Sequence, residues 1–358
     1  MTSQSNYSLL DRLLHRLAFG SPAVQLTAAD MESTLYGKRY QHIAVQRPVF
    51  ITSLPRAGTT LVLQMLTDVA ALATHKYRDM PFILAPVLWE TLSKGFRKPS
   101  DLKERAHGDG MLVGYDSAEA FEEILWRTFW PDKYESNRIL LWSVDEDANE
   151  FRAFFVEHMR KIIALRSGDG PQRRYVSKNN ANIARIGLLK RLFPDASIVI
   201  PIRDPVGQAR SLLRQHTRFL SLHKEDPFSK RYMGDLGHLE FGELHRPIAF
   251  PGMEDVAARY SPDGLDYWIA YWTMAFRYIA QQREEVLFVS YERLCEKGAS
   301  GVRAITHHLG FKDEELLATT PAEFHEPREN KGDVGSTDTR LVDEARVLHD
   351  ELLQRSIV

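Results

Sequence analysis

Residues 53–61, with the sequence SLPRAGTTL, combine residue types that suit the binding of a phosphate or sulfate group. An apolar stretch precedes them and a helical pattern follows, so they form a turn from a strand to a helix. Backbone N–H groups and a helix N-terminus converge on an anion at such a turn. Gly58 allows close approach of the backbone, Thr59 and Thr60 add hydroxyl donors, and Arg56 adds a charge-assisted contact. The turn is our first candidate anion site, with an ordinary βα turn as the alternative.

The same turn lacks the lysine of a nucleoside-triphosphate loop. In the pattern G-x-x-x-x-G-K-[ST], the lysine contacts the β and γ phosphates and the hydroxyl contacts magnesium. Here Gly58 is followed directly by Thr59. A P-loop kinase is therefore disfavoured, although a kinase or nucleotide hydrolase stays the main enzymatic alternative. The non-enzymatic alternative is a catalytically inactive nucleotide-binding scaffold that docks through its N-terminal helix.

A second candidate anion site consists of Arg203 and Ser211. The sequence IPIRDPVGQARS, which begins at Ile200, puts Arg203 at the end of a strand and Ser211 eight positions later on the next helix. Ligands of open parallel sheets bind where strands end and helices start. The pair is therefore expected to lie near the first turn.

In these two motifs, the chain resembles the sulfotransferases that use 3′-phosphoadenosine-5′-phosphosulfate (PAPS). Members of that family hold the 5′-phosphosulfate with the first motif and the 3′-phosphate with the second. The match is closer to the tyrosylprotein and bacterial branches, because Arg56 stands where the cytosolic steroid and phenol enzymes usually have lysine. The resemblance implies PAPS as co-substrate. The residues that match are Pro55, Arg56, Ala57, Gly58, Thr59 and Thr60 in the first motif and Arg203 and Ser211 in the second.

Three weaker matches extend the resemblance over roughly residues 49–335. Ser177, Lys178 and Asn179 are similar to an Asn-Lys-Asp segment of the tyrosylprotein enzymes, and Tyr291 falls in the family's strand-end Tyr-Glu. The sequence NKGDVG at 330–335 resembles the Arg-Lys-Gly loop that closes over the nucleotide, and it implies contacts from Lys331 and Gly332. Asn330 departs from that pattern, which removes one expected phosphate contact.

Sulfuryl transfer needs in-line positioning and stabilisation of the charge that develops on the leaving oxygen. Arg56 and Lys178 are the candidate cations, and they supply the positive charge without a metal. A base must also take the proton of the acceptor. Our first choice is Asp79, in the place where the tyrosylprotein branch has a glutamate, although a structural ion pair with Arg78 is an alternative. The competing candidates for the base are His75, His107, Glu119 and Glu123.

The elements around these motifs predict an α/β fold of the P-loop-like, three-layer type, with a central parallel sheet flanked by helices. Residues 1–45 are predicted to form an N-terminal helical extension and residues 336–358 a C-terminal helix. Residues 46–335 form the α/β domain, with insertions at about 80–170 and 219–262, the second a long excursion or lid. The strands are expected near 48–54, 70–74, 174–178, 196–202 and 286–290, and the main helices near 151–165, 183–193, 205–215, 267–282 and 302–309.

The composition limits the partners and the cellular location that we expect for the protein. A net charge of -2 over 358 residues makes no case for nucleic acid, and the single cysteine, Cys295, fits a reducing compartment. We find no signal peptide or membrane span and expect a soluble, cytoplasmic protein. Leucines at 9, 10, 13, 14 and 17 form a helical stripe that packs on the body or on a second subunit in a homodimer. The acceptor stays open among phenolic, steroidal, lipidic and glycan hydroxyls or amines, and the aromatic residues of 115–142 are core, acceptor wall or both.

Overall fold

The computed structural model of the chain describes residues 9–95, 103–104, 112–113, 117–282, 285–317 and 337–358. Its main sheet is parallel, with the strand order β2-β5-β1-β6-β7, and a separate antiparallel pair joins β3 and β4. The strands are β1 (Val49–Ile51), β2 (Leu72–Ala73), β3 (Lys103–Glu104), β4 (Leu112–Val113), β5 (Arg174–Lys178), β6 (Ser197–Ile202) and β7 (Leu287–Ser290).

Helices surround the main sheet, as the predicted α/β class requires. They are α1 (Leu9–Ala18), α2 (Pro22–Tyr36), α3 (Thr59–Val69), α4 (Pro86–Ser93), α5 (Glu123–Phe129), α6 (Asn149–Ser167), α7 (Ile186–Leu192), α8 (Pro205–Glu225), α9 (Pro227–Leu236), α10 (Met253–Arg259), α11 (Leu265–Ala280), α12 (Tyr291–Lys297), α13 (Ala299–His308) and α14 (Thr339–Gln354).

Alternate side chains of the central strands face two separate hydrophobic cores. Val49 and Ile51 of β1 pack with α3 and α13 on one face of the sheet, whereas Phe50 packs with α6 and α7 on the other. Side chains alternate across a strand, so a strand covered by helices on both faces is apolar throughout. The three-layer arrangement follows directly from this pattern, and the predicted fold class is confirmed.

The carboxyl ends of four strands meet at one edge of the sheet. Residue pairs Ile51 with Lys178 and Ile202 with Ser290 lie side by side in register. The residues that end or follow each of these strands include, or lie close to, the site residues predicted from the sequence. This edge therefore carries the candidate site.

Helix α8 is longer than the sequence pattern predicted. Its apolar face continues past Gln215 with Phe219 and His223 buried one turn apart, and it ends at Glu225, directly before Asp226 and the proline that starts α9. The predicted excursion at 219–262 is accordingly mostly helical, through α9 and α10, and neither sheet takes a strand from it.

Two leucines of the N-terminal stripe face the surface, whereas Leu14 is half-buried. Helix α1 turns His15 and Ala18 inward, whereas Leu13 and Leu17 are 64% and 59% exposed. Helix α2 is held more firmly, because Glu32 forms a buried ion pair of 3.2 Å with Lys161 of α6. The division into an extension, a domain and a C-terminal helix stays a prediction. In the described part of the chain, no helix combines the length and hydropathy of a membrane span.

Candidate active site

The turn between β1 and α3 has the backbone geometry of an anion site. Gly58 has φ +90° at the N-cap of α3, and no side chain caps that end of the helix among the described residues. Arg56 also has a positive φ, +69°. The first N–H groups of a helix have no partner within the helix. At the start of α3, Thr59 and Thr60 therefore offer backbone donors to a negatively charged group.

Tyr291 closes one side of this turn. A Cβ on Gly58 would lie 2.4 Å from Cδ2 of Tyr291, far inside van der Waals contact. The position thus needs glycine for two reasons, the positive φ and the approach of the tyrosine ring. Tyr291 follows β7 directly, so the ring comes from a strand end two strands away from the turn.

Arg203 and Ser211 lie against the same turn. Nη1 of Arg203 donates to the carbonyl oxygen of Arg56 at 3.1 Å, and Nε of Arg56 donates to Oγ of Ser211 at 3.1 Å. The Arg203 guanidinium stacks over the ring of Tyr291, with Cζ 4.7 Å from the centroid. Two motifs that are distant in the sequence therefore form one basic, hydroxyl-bearing cluster.

Gln208 fixes the turn from the α8 side. Its Nε2 donates to the carbonyl oxygens of Leu54 and Pro55 at 3.3 and 2.9 Å, and its Oε1 accepts from the indole N–H of Trp272 at 3.0 Å. Gln208 is fully buried. The sequence analysis missed this residue, although it lies one helical turn before Ser211.

The segment after β5 joins the turn to a neighbouring cleft. Oγ1 of Thr59 donates to Oδ1 of Asn180 at 3.4 Å, and Nδ2 of Asn180 donates to Oε1 of Glu240 at 3.0 Å. Lys178 and Asn179 line the same cleft. This hydrogen-bonded connection runs from the anion turn to a carboxylate that the sequence analysis did not select.

The cleft lies beside Leu54 and Pro55, and its cavity volume is about 40 Å³. Its walls are mainly apolar, with Phe241, Trp268 and Tyr271 as the aromatic members. The charged or titratable residues that line it are Glu123, Lys178, His238, Glu240, His245 and Arg246. An apolar cleft with a few converging polar groups is the usual form of a small-molecule site.

Glu123 borders the cleft, and both oxygens of its carboxylate accept hydrogen bonds. It accepts hydrogen bonds from the hydroxyl of Tyr134, from Nδ2 of Asn179 at 2.7 Å and from the guanidinium of Arg185. Burial lowers the pKa of Arg185, but the adjacent carboxylate outweighs burial, so the net shift is upward and the guanidinium stays charged. This buried pair positions Asn179 and the start of the cleft.

The aromatic residues around Trp126 belong to the core. Trp126, Trp130 and Phe151 stack or tilt against one another with centroids 4.2 to 5.3 Å apart, and the guanidinium of Arg185 lies 4.1 Å from the Trp126 centroid. None of these rings lines the cleft. They therefore support Arg185 and α5 and do not form an acceptor wall.

Asp79, our first choice of base, lies in a buried ion pair. Arg166 binds its carboxylate, and the backbone N–H of Lys76 donates to Oδ2 at 2.9 Å. Burial raises the pKa of Asp79, but Arg166 and His75 outweigh burial and hold the pKa well below its ordinary value. Asp79 is 2% exposed and does not line the cleft. The geometry supports the structural alternative, with Arg166 as the partner that binds the carboxylate.

His75 and Glu119, two of the other candidates for the base, also lie outside the cleft. His75 is buried and its Nε2 lies 2.9 Å from Nε2 of His158, and Oε1 of Glu119 accepts from the backbone N–H of Ala120. Neither lines the cleft. His107, together with Lys331 and Gly332 of the expected closing loop, lies outside the described residues.

Among the residues that the structure describes, no group of three histidine, cysteine or carboxylate side chains could hold a metal ion.

The fold and the site define a P-loop-like α/β protein in which a turn with exposed backbone donors lies beside an apolar cleft. Residues 48–315, about three quarters of the chain, match the model of the sulfotransferase family. The chain therefore belongs to the sulfotransferase family.

Solved structures that resemble the chain are also sulfotransferases. They include STF1 from Mycobacterium tuberculosis H37Rv (15% identity, 87% of this chain and 80% of that chain, TM-score 0.47). The others are STF9 from Mycobacterium avium (14%, 80% and 81%, TM-score 0.37) and a sulfotransferase from Alicyclobacillus acidocaldarius (16%, 87% and 94%, TM-score 0.37). No curated protein matches the chain.

Proposed function

We propose that this sulfotransferase takes its sulfuryl group from PAPS and transfers it to a hydroxyl or amine of a small acceptor. The observation that carries the proposal is the contact between the two anion motifs, in which Arg56 touches both Arg203 and Ser211. A nucleotide with phosphates on both its 3′ and 5′ positions needs two such groups of donors within the length of one nucleoside. Arginine and hydroxyl donors suit phosphate and sulfate oxygens.

The donors divide between the two ends of the nucleotide. The turn from Arg56 through Ala57 and Gly58 to Thr60 would hold the 5′-phosphosulfate at the start of α3. Arg203 and Ser211 would hold the 3′-phosphate, and Tyr291 supports the arginine through its ring face. Lys331 and Gly332 stay a prediction. PAPS supplies the activated sulfuryl group, and Arg56 with Lys178 would stabilise the charge on the leaving oxygen without a metal.

The acceptor would lie in the cleft beside this turn. Its apolar and aromatic walls, including Phe241 and Trp268, favour an acceptor with an apolar or aromatic body. A cytoplasmic location is part of the same proposal, supported by the single cysteine Cys295. A homodimer is supported by the exposed Leu13 and Leu17 of α1.

Nucleotide binding and turnover test the proposal. Adenosine 3′,5′-bisphosphate should raise the melting temperature, whereas magnesium-ATP should not, because the turn lacks the P-loop lysine. PAPS turnover with a panel of phenols, sterols, amines and sugars should persist in excess EDTA. Stabilisation by magnesium-ATP alone would contradict the proposal and favour a kinase or hydrolase, and binding of the bisphosphate with no turnover on any acceptor would favour an inactive scaffold.

Replacement of Arg203 tests its proposed contact with the 3′-phosphate of the nucleotide. Arg203→Ala should weaken adenosine bisphosphate binding by roughly 10- to 100-fold, since a hydrogen bond to a charged group contributes about 1.5–3 kcal/mol. Arg355→Ala is the matched control, because Arg355 also lies over an aromatic ring, that of Phe288, but does not contact the turn. Calorimetric titration should find the control unchanged, and equal weakening in both variants would contradict the assignment.

A further inference from the structure

A transferase that acts on a hydroxyl needs a group that accepts the proton of the acceptor. That group must lie within hydrogen-bond reach of the acceptor oxygen. Among the described residues that line the cleft, the carboxylates and imidazoles belong to Glu123, His238, Glu240 and His245. Their hydrogen-bond partners distinguish them.

Two of the four are already committed to other bonds. Glu123 is bound to the buried guanidinium of Arg185 and to the amide of Asn179. His245 uses both ring nitrogens, since Nδ1 lies 2.7 Å from the carbonyl oxygen of Glu240 and Nε2 lies 2.8 Å from the hydroxyl of Tyr267. Both carboxylate oxygens of Glu123 and both ring nitrogens of His245 therefore already have hydrogen-bond partners.

Glu240 lines the cleft, and its two carboxylate oxygens differ in their hydrogen bonds. Its Oε1 accepts from Asn180 at 3.0 Å, whereas Oε2 accepts no hydrogen bond from the described residues, and Nδ1 of His238 lies 3.9 Å from it. The side chain is 28% exposed, so a substrate can reach it without unfolding of the wall. Through Asn180, the same carboxylate is two hydrogen bonds from Thr59 of the anion turn.

The backbone around Glu240 is held by His245. Burial, with a smaller contribution from His216, lowers the pKa of His245 to about 4, so the imidazole is neutral at pH 7. Because the Glu240 carbonyl oxygen can only accept, Nδ1 of His245 carries the proton and Nε2 accepts from Tyr267. His245 therefore holds the backbone of Glu240 and makes no hydrogen bond to its carboxylate.

We propose that Glu240 is the general base of the transfer, with Asn180 as a residue that positions it against the anion turn. The inference rests on the proposed function. An acceptor hydroxyl gives its proton to Oε2 of Glu240 while its oxygen forms a bond to sulfur. The bond between sulfur and the bridging oxygen of the donor breaks, and its electron pair stays on the phosphate of adenosine 3′,5′-bisphosphate. The proton on Glu240 then passes to water.

The test compares Glu240→Gln with Glu243→Gln. The amide oxygen of the introduced glutamine would still accept from Asn180, so Glu240→Gln should fold. Glu243 is the matched control, since it lies on the same segment but pairs with Lys230 at the surface. Glu240→Gln should lose about 10²- to 10⁴-fold in kcat, the range of a general base, and should bind adenosine bisphosphate within twofold of wild type. Glu243→Gln should keep both values.

A series of phenols with increasing acidity gives a second readout that a purely structural role would not change. Acidic phenols are already ionised at the assay pH and need no base, so the rate ratio of wild type to Glu240→Gln should shrink towards one along the series. A constant ratio would overturn the assignment. A kcat for Glu240→Gln within threefold of wild type would also overturn it.

His238 is the competing base, and His238→Asn tests it. We expect this variant to retain most of its kcat. Loss of turnover in His238→Asn that exceeds the loss in Glu240→Gln would transfer the role to His238. Failure of wild type to turn over PAPS with any acceptor would contradict the proposed function itself, and that result is seen before any variant is compared.

Discussion

Replacement of Gly58 by alanine should disturb the anion turn in a way that the structure quantifies. Gly58 has φ +90°, and its Cα faces the ring of Tyr291. Alanine introduces two independent penalties. The first is the left-handed backbone conformation of a residue with a Cβ, and the second is a contact of 2.4 Å that the ring must relieve by moving.

The magnitude follows from these two effects. A left-handed conformation costs a non-glycine residue about 1–2 kcal/mol. Displacement of the ring of Tyr291 removes its contact with the Arg203 guanidinium, a contribution of about 0.5–1 kcal/mol. The sum is about 1.5–3 kcal/mol. An unfolding entropy of about 2.1 cal/mol/K per residue converts this sum, for 358 residues, into a melting temperature lowered by about 2–4 °C.

Thermal unfolding and titration with adenosine bisphosphate form the assay. Gly37→Ala is the matched control, because Gly37 has φ −51° and a Cβ there meets no atom within 4 Å. That variant should be neutral or slightly stabilising. The double variant Gly58→Ala/Tyr291→Ala should be less destabilised than the sum of the single variants, since the ring no longer obstructs the Cβ.

The reasoning is refuted by either of two results. Gly58→Ala could melt within 1 °C of wild type, which would mean that the turn adapts without strain. Alternatively, the effects of Gly58→Ala and Tyr291→Ala could add within error, which would mean that the two side chains are independent. Nucleotide affinity should fall in Gly58→Ala even at temperatures where the variant is fully folded, since the N–H groups of the turn are displaced.

Two further predictions concern buried charges. Asp79→Asn should destabilise the protein by about 3–5 kcal/mol in urea or thermal unfolding, because Arg166 would keep a buried charge without its partner; unchanged stability together with abolished transfer would instead make Asp79 the base. Stability should also fall as the pH is lowered from 6.5 to 4, because folded His245, with a pKa of about 4, binds fewer protons than the unfolded chain. The lowering of the His245 pKa from 6.5 to about 4 corresponds to a loss of about 3 kcal/mol in the free energy of unfolding by pH 4. Burial also lowers the pKa of His158, which acts in the same direction. Unfolding in urea at each pH measures this loss, His245→Gln should reduce it, and a wild-type stability that is flat over that range would contradict the prediction.

The sheet and the anion turn could be predicted because their signals are local. A short apolar run between helical patterns identifies a buried parallel strand, and β5 spans the same five residues that the pattern indicated. The turn from β1 to α3 is encoded within six residues, with Gly58 at the positive φ. Since strand ends meet at one edge of a parallel sheet, the pairing of Arg203 with this turn also followed from the topology.

The partners of the carboxylates could not be predicted, because they come from distant parts of the chain. Sequence proximity suggested Arg78 as the partner of Asp79, whereas the structure brings Arg166 of α6 to it. Helix α6 packs against β2, which pairs with β5 at the sheet edge, and this arrangement brings Arg166 to the residues after β2. The pattern of a single sequence carries no information on such contacts between distant segments. The choice of Asp79 as the base could therefore not take its ion pair with Arg166 into account.

Glu240 was missed for the same reason, because its contacts come from distant parts of the chain. The nucleotide side and the acceptor side of the proposed site also differ in what holds them in place. The donors expected to hold the nucleotide follow the ends of β1, β6 and β7, where the parallel sheet fixes the backbone. The cleft proposed for the acceptor is formed in large part by residues 237–248, which have little regular structure. Side chains hold this segment, since Nδ1 of His216 accepts from the backbone N–H of Gly242 and His245 binds the carbonyl oxygen of Glu240. Changes within 237–248 can therefore alter the cleft while the anion turn stays in place. Such a segment needs no motif of its own, because its geometry depends on packing against α8 and α11, and only the folded chain reveals which of its carboxylates reaches the cleft.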